Sequence, residues 1–120
     1  PQSRMFLTLR RAATLAHLGR YAEAAEGVES VTAEENLEPF FLYNAAAALA
    51  LASQAAAGDE QLEPEERSAL AEEAASSAIV LLRRAAEAGY FKDEGHRAQL
   101  EKDPELEPLR ARPDFMELLK

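Results

Sequence analysis

The sequence contains no cysteine and no tryptophan, and it has few aromatic side chains of any kind. Without cysteine, a disulfide framework, a thiolate metal site and a cysteine nucleophile are all excluded. Aromatic residues make up 7% of the 120 residues, whereas 48% are hydrophobic and many of these are alanine. We therefore expect one domain with a thin core that depends on close contact between helices.

Positive charge is also scarce, because 13 lysine and arginine residues stand against 22 aspartate and glutamate residues. The resulting net charge of −9 repels a phosphate backbone over most of the surface. We therefore expect no nucleic-acid partner.

One run, residues 39–58, is nearly uncharged, but it contains the polar residues Asn44, Ser53 and Gln54 and is rich in alanine. This composition favours a buried helix over a membrane span. No signal peptide is recognisable, so we expect a cytoplasmic protein with no membrane partner. The chain begins with Pro1 and not with methionine, and we expect it to be a fragment of a longer polypeptide.

Apolar residues recur at three- and four-residue steps, the spacing of one helix face, in four stretches of the chain. The four predicted helices cover Met5–Leu18, Tyr21–Val31, Pro39–Ala57 and a segment that begins at Pro64 and ends before Gly89. Gly19 leaves almost no connection between the first two helices, so they should pack antiparallel. Because no β-branched run of alternating polarity occurs, the predicted fold class is all-α.

An internal repeat links the two predicted helix pairs. Ala12 and Leu15 recur 34 residues later as Ala46 and Leu49, and 34 residues is the period of the tetratricopeptide repeat (TPR). Three residues of the second helix recur 54 residues later, which is one period plus an insertion: Ala24, Val28 and Val31 match Ala78, Leu82 and Ala85. We expect the matching alanines to lie where helix backbones approach closely.

These matches divide the single domain, residues 1–120, into three parts. Residues 1–36 form a first repeat, and residues 37–89 form a second repeat with an insertion near 53–66. Residues 90–120 form a capping tail, in which prolines 104, 108 and 113 are each able to open a short helix. Arg110 and Arg112 are expected to pair with acidic residues of the same tail.

Several strings resemble a known family. Residues 18–24 (LGRYAEA) are similar to the turn between the two helices of a TPR and the alanine that follows it. With residues 42–50, 78–90 and the ending 103–115 (DPELEPLRARPDF), the chain resembles the C-terminal TPR region of planctomycete-type bacterial serine/threonine protein kinases. This resemblance implies a parent kinase, but the present chain has no glycine-rich phosphate loop, no His-Arg-Asp and no Asp-Phe-Gly.

The resemblance also implies a groove for a peptide, lined by the first helix of each repeat. The groove residues in this register are Arg10, Ala13, His17, Tyr43, Asn44 and Ala47. Asn44 matches the asparagine with which several TPR domains hold a peptide backbone or a terminal carboxylate, although Leu9 and Ala13 replace the basic clamp residues. The structural alternative is that Asn44 caps or bridges helices.

No catalytic, cofactor or metal site is predicted. His17 and His96 are the only histidines, and their surroundings lack the spacing of a metal site. The acidic loop after Gly58 lacks the alternating aspartates of a calcium loop.

The predicted function is a non-catalytic scaffold that binds a protein or peptide segment. A purely architectural or oligomerisation segment is the alternative, and a homo-oligomer stays open. A small hydrolase or metal enzyme is disfavoured, since the catalytic constellations are missing.

Overall fold

The computed structural model describes residues 2–33 and 37–120, and every regular element in these ranges is helical. This confirms the all-α class. The α-helices are α1 Gln2–His17, α2 Tyr21–Thr32, α3 Pro39–Ala57, α4 Pro64–Glu87, α5 Glu94–Lys102 and α6 Pro113–Leu118. Two 3-10 helices, Tyr90–Lys92 and Pro104–Leu109, flank α5. Residues 34–36, part of the predicted connection between the repeats, lie outside the described ranges.

The turn between α1 and α2 ends the first helix at the predicted place. Gly19 has φ +81°, a left-handed conformation that glycine adopts without strain. The Gly19 N–H donates to the Ala16 carbonyl at 3.0 Å and the Arg20 N–H donates to the Leu15 carbonyl at 2.8 Å. This pair of bonds is a Schellman motif, which satisfies the last carbonyls of α1 and reverses the chain within three residues.

The central element is α3, which packs against α1, α2, α4 and the second 3-10 helix. Pro39 is its first residue, where the missing N–H costs nothing. Ser53 is buried and its hydroxyl donates to the Ala71 carbonyl at 2.7 Å, so the polar group on this face is satisfied. Within the described ranges α3 is the one helix long and apolar enough to cross a membrane, and 72% of that stretch is buried against its neighbours.

The four alanines of the predicted repeat are all deep in the core. Ala12, Ala24, Ala46 and Ala78 are each at most 1% exposed. A methyl side chain at these positions lets the helix backbones approach closely, so the core forms with few aromatic residues.

The tail, residues 90–120, folds back over α3 and α4. Its large apolar side chains are fully buried: Leu100, Leu106, Leu109 and Phe115. Pro104 and Pro113 begin helices as predicted, but Pro108 lies inside the second 3-10 helix. The 3-10 helix tolerates Pro108, which has no N–H to donate, because neighbouring residues keep the turns hydrogen-bonded. The Arg110 N–H, for example, donates to the Glu107 carbonyl.

Arg112 joins the tail to α4. Its guanidinium bonds Asp114 at 3.0 Å, as expected within the tail, and also bonds Glu72 of α4 at 2.7 Å. Hydrogen bonds from Arg112 are the largest cause that lowers the pKa of both carboxyl groups below their ordinary values of 4.5 and 3.8. Arg112 is 20% exposed and Asp114 is 28% exposed, whereas Glu72 is 64% exposed, so solvent screens the Glu72 pair more than the Asp114 pair.

These lowered pKa values predict an acid-sensitive attachment of the tail. Depressed carboxyl pKa values add stability that is present above the unfolded pKa and lost as the pH falls through the folded pKa. Between about pH 5 and about pH 3 the parent should therefore lose more thermal stability than Arg112→Gln, which lacks the largest cause of the lowered carboxyl pKa values. The control Arg20→Gln breaks the exposed Arg20–Glu23 pair and should keep the parent's profile. If the melting temperatures of the parent and Arg112→Gln fall by the same amount over this pH range, this assignment is contradicted.

Candidate functional site

An open groove lies between α1 and α3, closed on one side by the tail. It encloses about 230 Å³. Five of the six residues predicted from the sequence line it. The lining residues are Phe6, Leu9, Arg10, Ala13, Thr14, His17, Asn44, Ala47, Ala48 and Glu105. We call this feature the polar groove.

The α1 wall of the polar groove carries basic side chains on one helical face. Arg10, Ala13 and His17 are three or four residues apart and therefore lie on the same side of α1. The Arg10 guanidinium lies 6.0 Å from the centre of the Phe6 ring, which itself stacks on Phe40 of α3 at 6.2 Å. Within the described ranges neither Arg10 nor His17 forms an ion pair at contact distance, although the Glu105 carboxyl group of the facing wall interacts electrostatically with both. The wall thus presents the positive charge of Arg10 to the groove, opposite the carboxyl group of Glu105.

The α3 wall presents an amide over a floor of small residues. Asn44 is half-buried and its Nδ2 donates to the Phe40 carbonyl at 2.8 Å, one turn earlier in the same helix. Asn44 therefore neither caps a helix end nor bridges two helices, which was the structural alternative. Its carboxamide oxygen stays available as an acceptor. Ala47 and Ala48 leave the space that the groove occupies.

The third wall is Glu105 of the second 3-10 helix. Burial raises the pKa of its carboxyl group, repulsion from Asp103 adds to this, and His17 and Arg10 oppose it. The polar groove therefore has the basic side chains of Arg10 and His17 on α1 and a carboxyl group on the tail. Sequence reasoning did not find Glu105, because it is far from Arg10 in the chain and no local pattern marks it.

Tyr43 was predicted to line the groove, but it is not among the residues that line it. It is 2% exposed, and its hydroxyl donates to Asp103 at 2.7 Å. Asp103 in turn accepts the Glu105 N–H at 2.9 Å and so caps the second 3-10 helix. Adjacent helix residues differ by about 100° in direction, so Tyr43 and Asn44 face different sides of α3. Tyr43 thus anchors the tail and is not available to a groove ligand.

This role predicts the effect of Tyr43→Phe. The variant keeps the ring and loses one buried hydrogen bond, so the free energy of unfolding should fall by about 1 kcal/mol. Urea denaturation followed by circular dichroism measures the change. An unchanged midpoint would show that the Tyr43–Asp103 bond contributes nothing to holding the tail.

The histidines and acidic side chains form no metal site in the part of the chain that the structure describes. His96 stacks on the Tyr90 ring at 3.9 Å and its Nδ1 bonds the Tyr90 carbonyl at 3.0 Å. His96 is therefore engaged in packing α5 against the first 3-10 helix.

Comparison with protein-family models, with curated proteins and with solved structures finds no match. What this chain does has to be inferred from its own residues.

Proposed function

We propose that this chain is a non-catalytic protein-interaction module that holds an extended acidic segment of another protein in the polar groove. The observation that carries the proposal is Arg10, which lies on the α1 wall without a contact ion pair in the described ranges, in a protein of net charge −9. The positive charge in the groove attracts acidic ligands, whereas the negative surface around it repels anions. Acidic ligands are therefore directed to the groove.

The groove chemistry suits a peptide. Arg10 supplies charge-assisted hydrogen bonds to a carboxylate, and its position beside the Phe6 ring reduces the side-chain freedom lost on binding. Asn44 supplies an amide for the ligand backbone. Glu105, on the opposite wall, can accept a hydrogen bond from a ligand N–H. A volume of about 230 Å³ is below the range of typical small-molecule sites and accommodates one or two side chains of an extended segment.

The proposal includes a TPR-like arrangement, with α1 and α2 as one helix pair and α3 and α4 as the other. The Schellman turn at Gly19 and the burial of the repeated alanines support it. So does the burial of every residue in the longer match: Ala24, Val28, Val31, Ala78, Leu82 and Ala85. In this arrangement α4 has 24 residues and its counterpart α2 has 12. The extra length of α4 accounts for much of the insertion in the second repeat. The resemblance to kinase C-terminal regions adds the proposal that the parent protein is a serine/threonine kinase.

A purely architectural segment is the second candidate, and the tail favours it. Leu106, Leu109 and Phe115 of the tail are fully buried, as expected of a module whose surfaces serve internal packing. The polar groove itself remains open, and this favours the binding function.

Selection from a random peptide library, with parent protein as bait, tests the binding function. Enriched peptides should be rich in aspartate and glutamate. Arg10→Glu and Asn44→Ala should each weaken the affinity of a selected peptide at least about fivefold, which is about 1 kcal/mol. Both residues are at least partly exposed, so the unfolding midpoint should barely change.

Arg11→Glu is the matched control, because it makes the same charge change at the next residue of α1 but lies outside the polar groove. Its peptide affinity should stay close to that of the parent. If no peptide is enriched, or if Arg10→Glu and Asn44→Ala bind as the parent does, the architectural candidate replaces the binding function.

A further inference from the structure

A second groove lies on another side of the molecule, between α2 and α4. Both helices pack on α3, and between them they leave a space of about 310 Å³. Its walls and floor are mainly apolar, with Ala25 and Val28 from α2, Leu49 and Ala52 from α3, and Val80 and Leu81 from α4. Val80 is 52% exposed, so part of this surface lies open to water. We call this feature the apolar groove.

The rim of the apolar groove is acidic. Glu29 of α2 and Glu73 of α4 both line it, both are exposed, and neither has a cationic partner in the described ranges. Tyr21 closes one end, where its hydroxyl donates to Asp59 at 3.1 Å and brings a further carboxylate close. Among the described residues of the lining there is no lysine or arginine. A ligand for this groove should therefore combine apolar side chains with positive charge.

The chain itself carries a surface of that description on α1. Arg4, Leu7, Arg11 and Leu18 are three, four and seven residues apart, so they form one stripe along α1 and its C-terminal end. Leu7 is 66% exposed and Leu18 is 68% exposed, and both arginines are exposed. No acidic residue precedes Glu23 in the sequence. The stripe lies roughly a third of a turn from the polar-groove face of α1.

We propose that the α1 stripe of one copy docks into the apolar groove of a second copy, so that the chain assembles head to tail. Docking would bury leucines against valine and leucine and would place Arg4 and Arg11 beside the glutamates of the rim. The second copy is the favoured occupant because it supplies both the apolar and the cationic half of the match. In a head-to-tail contact of this heterologous kind each pair leaves one stripe and one groove free, so we expect the assembly to continue beyond a dimer.

Sedimentation equilibrium measures the assembly directly. The weight-average mass of the parent should rise with concentration from the monomer mass of 13.1 kDa to beyond twice that value. Two double variants, each at exposed positions, remove one surface at a time: Leu7→Glu with Arg11→Glu removes the stripe, and Glu73→Arg with Val80→Arg removes the groove. Each variant alone should stay monomeric. The control Met116→Glu removes an exposed apolar side chain on α6 and should assemble as the parent does.

Mixing the two double variants gives the sharpest test. The stripe-deficient variant keeps a normal groove and the groove-deficient variant keeps a normal stripe, so an equimolar mixture should form a one-to-one complex and nothing larger. A parent that stays monomeric, a parent that stops at a dimer, or a mixture that stays monomeric overturns the proposal. Arg10 belongs to neither docking surface, so Arg10→Glu should assemble as the parent does. Assembly and peptide binding are therefore tested separately, and either can fail without the other.

Discussion

Truncation after Asp103 is expected to leave a protein that aggregates or is largely unfolded at room temperature. Leu106, Leu109 and Phe115 are 0% exposed, and the truncation removes all three and uncovers the faces of α3 and α4 beneath them. Burial of each such side chain contributes about 1.5–3 kcal/mol, so the sum is comparable with the whole stability of a small domain. The links from Arg112 to Glu72 are lost as well.

Light scattering and urea denaturation of the truncated chain measure this effect. Phe115→Ala in the untruncated chain is a milder perturbation of the same contact, and it should lower the free energy of unfolding by about 3–5 kcal/mol. Met116→Ala, at the next and exposed position, is the matched control and should change stability by less than about 0.5 kcal/mol. A truncated chain that remains soluble and monomeric with the parent's midpoint would show that the tail does not complete the core.

Ala46→Leu is expected to cost about 1–3 kcal/mol through overpacking. Ala46 is 0% exposed at the centre of α3, the helix on which α1, α2, α4 and the tail all pack. Three additional carbon atoms can be accommodated only if these helices move apart or if the leucine adopts a poor rotamer.

The control for Ala46→Leu is Ala57→Leu, which makes the same change at the exposed end of the same helix. Its free energy of unfolding should stay within about 0.5 kcal/mol of the parent's. Equal urea midpoints for the two variants would mean that the helices around Ala46 are not closely packed, and the predicted repeat register would then lose its main physical support.

The helix limits that could be predicted are those marked by glycine or proline. Gly19, Pro39 and Pro64 act through their own backbone restrictions, so their effect is local and readable from the sequence. Helix α5 was not predicted as a separate element, although Asp93 is a recognisable cap that accepts the His96 N–H at 3.1 Å. Pro108 was expected to open a helix and lies inside one, because the burial of Leu106 and Leu109 on either side continues the 3-10 segment.

Local periodicity predicted one wall of the candidate site and missed the opposite one. Arg10 and His17 both line the polar groove, as their spacing on one face of α1 predicts. Glu105 and the Tyr43–Asp103 bond depend on how the tail folds back across α3, over 60 residues in the second case. Such contacts depend on three-dimensional packing, and a single sequence contains no local signal for them.

Nuclear magnetic resonance mapping of an acidic peptide on the isotope-labelled protein tests the binding claim most directly. The peptide would be one selected on the parent chain, and the backbone amide shifts would be followed during titration. We expect the shifts to concentrate at the walls of the polar groove, around Arg10, His17, Asn44 and Glu105, and to vanish in Arg10→Glu. Shifts confined to α2 and α4, or none at saturating peptide, would contradict the assignment of the polar groove as the binding site.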